Sequence, residues 1–299
     1  MTARTTIRSR TRLTALLCAV ALLAGACGNA TAGTPVPNGD EVSSYLSAKF
    51  SDTLQKLSDS LGNNDTRKSV QDTFARFDQK KINSTITAVQ LGHPPARLSK
   101  NHSNQDSNEY LDDFHPANSP VEYLLLGPVY ASLAPTHWVS MPYTAGDYNE
   151  CYWGGSHDVC KMLGAIDDSV TKSKGAQSAN SKADGSIELT ANVTMTAFLD
   201  NSVITFPQSI LDQIGPEMKT KSFQAKITLD GQGKLTDLQL GGTVTGDGHE
   251  LEINEHYRLD GVPTENDLPK VPDAADVTVL ADSAAVDDFY NRMGEIQDR

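Results

Sequence analysis

From Asp40 onward, Val42, Leu46, Phe50, Leu54, Leu57 and Leu61 recur at helical spacing, with Asp40 placed as a cap and Gly62-Asn63 as a stop. Val70, Phe74 and Phe77 follow the capping-type residues Asp65 and Thr66 and predict a second, shorter helix. An apolar stripe at this spacing is a packing face, so residues 40–82 are expected to form a helical hairpin over another layer. Residues 92–120 are polar and broken by prolines, and are expected to run as a long surface excursion.

From Val121 the pattern turns to strands. Tyr123 to Leu126, Val129 to Ala131 and His137 to Met141 are short segments split by Gly127-Pro128 and Pro135. The longest alternation runs from Ser186 to Ala197, where Ile187, Leu189, Ala191, Val193 and Met195 face one way and polar residues the other. Pro207 to Ile214 predicts a brief helix with proline in its first turn. Phe223, Ala225, Ile227 and Leu229 alternate up to the turn Asp230-Gly231-Gln232-Gly233, Leu235 to Val244 returns as a paired strand, and Gly246-Asp247-Gly248 turns the chain into Leu251, Ile253 and Tyr257. Val286, Phe289, Tyr290, Met293 and Ile296 give residues 283–297 as an amphipathic C-terminal helix, and there is no internal repeat of fixed period. An antiparallel sheet with one apolar face has to be covered. The expected fold is therefore α+β: a curved, half-barrel-like antiparallel sheet over residues 121–280, covered by amphipathic helices, with an N-terminal helical hairpin, all in one domain over residues 40–299.

The N-terminus sets the compartment. Arg4, Arg8, Arg10 and Arg12 precede the apolar run Leu13 to Ala26, which is shorter than the roughly 20 residues a spanning helix needs and fits a signal peptide without a twin-arginine pair. The run ends in Leu23-Ala24-Gly25-Ala26-Cys27-Gly28, which resembles a bacterial lipobox with Ala24 where leucine is usual. Residues 1–26 are then a lipoprotein signal peptide and the Cys27 thiolate accepts diacylglycerol; the plainer reading is a cut after an Ala-x-Ala-like site with Cys27 incidental. Two or three acyl chains, at about 0.8 kcal/mol per buried methylene, anchor a protein stably. Residues 27–39, rich in Gly, Pro, Asn and Thr, read as a flexible tether. The expected location is the extracytoplasmic face of the cell membrane. Cys151 and Cys160 remain as a close pair in an exported chain and are expected to form a disulfide; His157 between them is a weak zinc signal.

Composition narrows the partners. The full chain has 25 Lys and Arg against 38 Asp and Glu, a formal charge of −13, and loss of the four signal-peptide arginines takes the remainder to about −17. Such a body neither binds nucleic acid generally nor is drawn to anionic head groups, so the lipid anchor has to hold it at the membrane.

Candidate chemistry is sparse. His249-Glu250 and His256 lack the zinc-protease spacing and point to opposite faces of a strand. His93, His102, Asp106, Asp112, Asp113 and His115 match no ligand pattern. No Gly-x-Ser-x-Gly elbow, P-loop or dinucleotide fingerprint occurs, and Asp230 to Gly233 reads as a hairpin turn, not a calcium loop. The pairs Asp112-Asp113 and Asp167-Asp168 lie in polar segments, so catalysis, a metal and a cofactor are all unsupported.

The lipobox, the tether and the meander together resemble the LolA-like superfamily of bacterial lipoprotein carriers, and within it the LprG/LppX family of actinobacterial cell-envelope lipoproteins. The residues that carry the resemblance are Tyr130 leading to Trp138-Val139-Ser140-Met141, the strand Ile187 to Ala197, the helix Pro207 to Ile214, Ile227 to Leu235, and Val271 to Val277. The resemblance implies a non-enzymatic carrier whose apolar sheet face, at Leu189, Val193 and Met195, receives acyl chains. Periodicity alone does not distinguish that cavity from a filled core. The alternative is a structural or interaction lipoprotein whose acidic body engages an envelope protein or a cell-wall polymer.

Overall fold

The computed structural model divides the chain into residues 1–43 and 44–299, and describes residues 48, 50–54, 56–57, 66–143, 155, 157–173 and 177–297. The signal peptide, Cys27, the tether and Cys151 lie outside the described residues.

Among the described residues, twelve strands form one open sheet in the order β12-β6-β5-β4-β3-β2-β1-β11-β10-β9-β8-β7. The strands are β1 (Arg67–Phe77), β2 (Lys80–Leu91), β3 (Ala96–Ser103), β4 (Tyr110–His115), β5 (Val121–Leu126), β6 (Trp138–Pro142), β7 (Gln177–Ser181), β8 (Ile187–Thr194), β9 (Ser222–Leu229), β10 (Leu235–Gly246), β11 (His249–Leu259) and β12 (Val277–Val279). Two antiparallel meanders, β1 to β6 and β7 to β11, join where β1 pairs with β11. Among the described strands, β12, lying parallel to β6, departs from the antiparallel pattern. The sheet does not close on itself, as the half-barrel expectation required. Turn chemistry fixes the register: Asp247 and Gly248, with φ of 55° and 84°, make the two-residue turn in which Gly246 pairs with His249.

The helices are α1 (His157–Ser173), α2 (Met195–Asp200), α3 (Gln208–Leu211), α4 (Pro216–Lys219) and α5 (Ser283–Gln297). Residues 50–54 are helical as expected, and Phe50 and Leu54 are buried. Helix α1 is an addition to the expected cover; Val159, Met162, Leu163, Ile166 and Val170 repeat at helical spacing and are all buried.

Four expectations are corrected. Val70, Phe74 and Phe77 lie not on a helix but on β1, so the helical region does not extend through residue 82. Residues 92–120 are not an excursion; they contain β3 and β4, and the sheet begins at Arg67, not at residue 121. Val129 and Tyr130 fall in a 3₁₀ turn, Pro128–Tyr130, because Pro128 has no N–H to give a ladder. The strand through Val193 ends at Thr194, whose hydroxyl accepts from the Ala197 N–H and caps α2, so Met195 starts a helix.

One sheet face carries the core. On it, Leu189, Ile227, Leu238, Tyr257, Gln71, Ile86, Asn101, Leu111 and Leu126 stand side by side across nine strands. At one end of this face α1 and α2 pack Val159, Met162, Ile166 and Phe198 against β8 to β11. At the other end α5 packs Phe289 and Met293 against Leu124, Leu126, Val139 and Met141. On the opposite face, Val89, Leu98 and Phe114 are covered with Leu268 of the segment running from β11 to β12. Lys68 holds that segment through Asp267 at 2.9 Å.

Candidate functional site

Between the two apolar clusters, the core face of β1 and β3 carries a band of polar residues, interrupted on β2 by Ala88 and Ile86. On β1, Arg67, Ser69, Gln71 and Thr73 occupy the positions that Ala75 and Phe77 continue as core; their neighbours on β2 are Gln90, Ala88, Ile86 and Ser84, and beyond these on β3 stand Arg97, Ser99, Asn101 and Ser103. Arg67, Ser69, Gln71, Gln90, Arg97 and Ser99 are all buried. Buried polar groups are costly unless hydrogen-bonded, and the band is partly self-satisfied: Arg97 Nε donates to Gln90 Oε1 at 3.2 Å.

Glu255 of β11 borders this band and is 1% exposed. Its Oε2 accepts from Gln71 Nε2 at 3.0 Å and from Thr73 Oγ1 at 2.9 Å, while Oε1 is buried and has no hydrogen-bond partner among the described residues. Burial, together with the charges of Asp158 and Asp72 and against the hydrogen bonds from Thr73 and Gln71, pushes its carboxyl up to about 8. The shift favours the protonated carboxyl over a wider pH range than an exposed glutamate has. At the far side of the band, burial and then the neighbouring Glu122 push the Asp113 carboxyl well above the usual range. His115 Nε2 contacts the Ser119 carbonyl at 3.0 Å and its ring lies tilted against Tyr143, while Nδ1 is buried with no hydrogen-bond partner among the described residues. Burial lowers the His115 pKa.

The band opens at one end into a cleft of about 340 Å³ lined by Ile82, Ser84, Asn101, Ser103, Leu111 and Tyr130, among others. Ser84, Asn101 and Ser103 share the core face, as the β2–β3 register requires. Ile82 packs on the edge of the α1 cluster and Leu111 on the edge of the α5 cluster, while Lys81 and Glu109 bring charges to the same cleft. Gln297 at the end of α5 donates to Tyr130 Oη at 3.2 Å across its rim. The arrangement suits an amphiphile: hydroxyl and amide groups face a polar portion, and apolar surface begins on both flanks.

The residues singled out from sequence distribute as follows. Leu189 and Val193 lie on the core face of β8, and with Met195 at the start of α2 they are buried in the α1 cluster beside Phe198 and Phe223. Cys160 lies in the first turns of α1, half-buried. His102 Nε2 meets Asp112 Oδ1 at 2.7 Å on the face opposite His115, and Asp106 accepts from Asn108 within the β3–β4 turn. His249 contacts Asp78 at 2.8 Å and His256 contacts Asp237 at 2.7 Å, on opposite faces of β11. Among the described residues no group of three or more His, Cys, Asp or Glu is placed to hold a metal, and no helix is long and apolar enough to cross a membrane.

No protein-family model matches the chain, and no curated protein matches it. Its neighbours are found among solved structures. LprF from Mycobacterium bovis is 10% identical with a TM-score of 0.31, over 74% of this chain and 95% of that one. The lipoprotein LppX from Mycobacterium tuberculosis is 12% identical with a TM-score of 0.26, over 68% and 93%. A putative outer membrane lipoprotein-sorting protein domain from Vibrio parahaemolyticus is 10% identical with a TM-score of 0.25, over 72% and 94%. At such identities, function has to be read from this chain's own residues.

The sequence reading missed the polar band and Glu255. The available signal was the alternation Ser69, Gln71, Thr73, Ala75, Phe77, a strand period written half in polar residues.

Proposed function

We propose that this chain is a non-enzymatic, lipid-anchored lipoprotein of the extracytoplasmic face of a cell membrane that binds and carries acylated lipids on the core face of its sheet. The basic n-region, the apolar run and Cys27 support the anchor, and diacylglycerol on Cys27 holds an acidic body that would not adhere by charge. A disulfide between Cys151 and Cys160 belongs to the same reading, since an exported domain keeps such a bridge. In this reading Leu189, Val193 and Met195 belong to the buried apolar cluster beneath α1 and α2 toward which the acyl chains run.

The observation that carries this reading is the cleft of about 340 Å³, whose hydroxyl and amide floor is flanked by the edges of two apolar clusters. A lipid bound there sets its polar portion on Ser84, Asn101 and Ser103 and its chains toward one cluster.

The test is native mass spectrometry of the full chain purified from an exporting host, followed by organic extraction. A covalent mass increase on Cys27, absent from Cys27→Ser, is expected for the anchor. A stoichiometric non-covalent adduct that extracts as lipid is expected for the carrier. A mass without adduct that stays unchanged after incubation with membrane lipid sinks the carrier reading and leaves an envelope protein or cell-wall polymer as the partner.

A further inference from the structure

The cleft holds a donor and an acceptor that do not meet each other. Tyr130 lines it and is 3% exposed; its hydroxyl accepts from Gln297 Nε2 at 3.2 Å, and among the described residues its own hydrogen has no acceptor. Burial, offset in part by the Gln297 hydrogen bond, raises the Tyr130 pKa, and the charge of Glu109 adds to the rise, so the hydroxyl stays a donor. Glu109, one residue before β4, is half-buried in the same lining, and its carboxylate has no hydrogen bond or ion pair among the described residues. A carboxylate only accepts, and this phenol has a hydrogen left to give. A hydroxyl is the group that takes from one and gives to the other, whereas an ammonium has nothing to accept with and an ionised phosphate oxygen nothing to donate.

The rest of the lining repeats that demand. Ser84, Ser103 and Glu109 stand in one row, since Ser84 pairs with Ser103 and the Ser103 N–H donates to the Glu109 carbonyl at 2.9 Å. Neighbouring strands lie about 5 Å apart, so the row offers hydrogen-bonding groups at intervals over about 10 Å. Asn101 is exposed beside it on β3, and its amide both gives and accepts. The charges of the lining are Lys81 and Glu109, one of each sign, so an anion meets no net attraction there. A space of about 340 Å³ falls within the range of small-molecule sites. Its mouth, with Lys81, Gln105 and Gln297 exposed, is open to solvent, so a bound unit can belong to a longer chain. A ligand carrying several hydroxyls round a ring, and no charge, meets all of these groups.

We propose that the cleft is a saccharide-binding site that takes a neutral sugar unit of a cell-wall polymer, one hydroxyl bridging Tyr130 and Glu109 and others meeting Ser84, Asn101 and Ser103. This goes beyond the lipid-carrier reading, because no acyl chain is needed to fill the site, and either can fail without the other.

The probe is a printed array of unacylated oligosaccharides, some neutral and some carrying uronic acids, over which the full chain is passed. The wild type is expected to be retained on neutral members, and calorimetry with the best of them gives its affinity. Glu109→Gln replaces an acceptor-only group whose side chain has no partner among the described residues, and is expected to weaken binding by about tenfold or more. Tyr130→Phe keeps the buried ring, removes the bridging donor, and is expected to weaken binding by several-fold. Retention of the wild type on no neutral member, or on uronic-acid members alone, overturns the proposal and needs no variant. So does binding of a neutral glycan that is unchanged in both variants, or that appears only when the same sugar carries acyl chains. None of these results touches a lipid adduct seen by native mass spectrometry. A neutral glycan held by a chain that takes up no lipid instead removes the carrier reading and leaves the saccharide site standing.

Discussion

Thr73 stands directly opposite Glu255 across the β1–β11 ladder, and its hydroxyl donates to Glu255 Oε2 at 2.9 Å. The pair joins a polar band to the edge of an apolar cluster, and it ties the protonation of one carboxyl to the packing of the sheet.

That tie fixes the sign of a pH effect. The folded chain raises Glu255 from 4.5 to about 8, so between those values the native state holds a proton that the unfolded state has released. Stability contributed by this group is full below pH 4.5 and is lost as pH rises through about 8. Glu255→Gln is expected to remove this decline, giving a relative gain on the order of 3 kcal/mol at pH 7 over its difference at pH 4. Urea denaturation of both proteins at several pH values checks it, and parallel curves would show that Glu255 is not held neutral.

The same band explains where the sequence was legible. Strands β8 to β11 alternate between apolar and polar residues, and their period was readable because their core face is apolar: Leu189 and Val193, Phe223 and Ile227, Leu238 and Leu240, Leu251 and Ile253. On β1 the core-facing positions are Arg67, Ser69, Gln71 and Thr73, while Val70 and Phe74 sit on the other face. With Phe77 those two mimic a helix stripe. On β3 the core positions Arg97, Ser99, Asn101 and Ser103 are all polar, so β3 passed for a loop. Sequence pattern failed there because polar side chains, buried at Arg97 and Ser99 and open to solvent at Asn101, occupy the face that is apolar elsewhere. The C-terminal helix was legible because its core-facing side, Phe289 and Met293, is wholly apolar.

Docking of α5 rests on that side. Phe289 is fully buried among Leu124, Leu126, Val139 and Met141. Phe289→Ala is expected to cost about 3–5 kcal/mol and to raise hydrogen exchange across residues 283–297. Arg292→Ala, which removes only an exposed pair with Asp288 at 2.9 Å, is expected to cost no more than about 0.5 kcal/mol. Equal effects would mean that α5 is held by its surface and not by Phe289.

The segment between β11 and β12 is pinned electrostatically. The Lys68 hydrogen bond first, then those from the Thr264 backbone and hydroxyl, hold the Asp267 carboxyl down to about 2. Its contribution is therefore present above about pH 4 and lost as pH falls through about 2. Asp267→Asn is expected to expose residues 260–276 to pepsin at pH 4, where the wild type resists until the pH is lowered further. Identical cleavage of the two proteins across that range would show that the ion pair does not hold the segment.

The cleft gives the most direct test of function. Asn101 lies on the core side between Ile86 and Leu111 and is exposed, and among the described residues no hydrogen bond of its side chain would be lost on substitution by an aromatic residue. A tryptophan there fills much of a space of about 340 Å³ that opens to solvent, so it meets little of the strain that overpacking a closed core brings. Asn101→Trp is thus expected to abolish the lipid adduct seen by native mass spectrometry while shifting stability by less than about 1 kcal/mol. Asn101→Ala, which empties the same place, should keep the adduct. If the tryptophan variant carries lipid as the wild type does, the ligand reaches the apolar clusters by another route, and the seam between Ile82 and Leu111 is not the binding site.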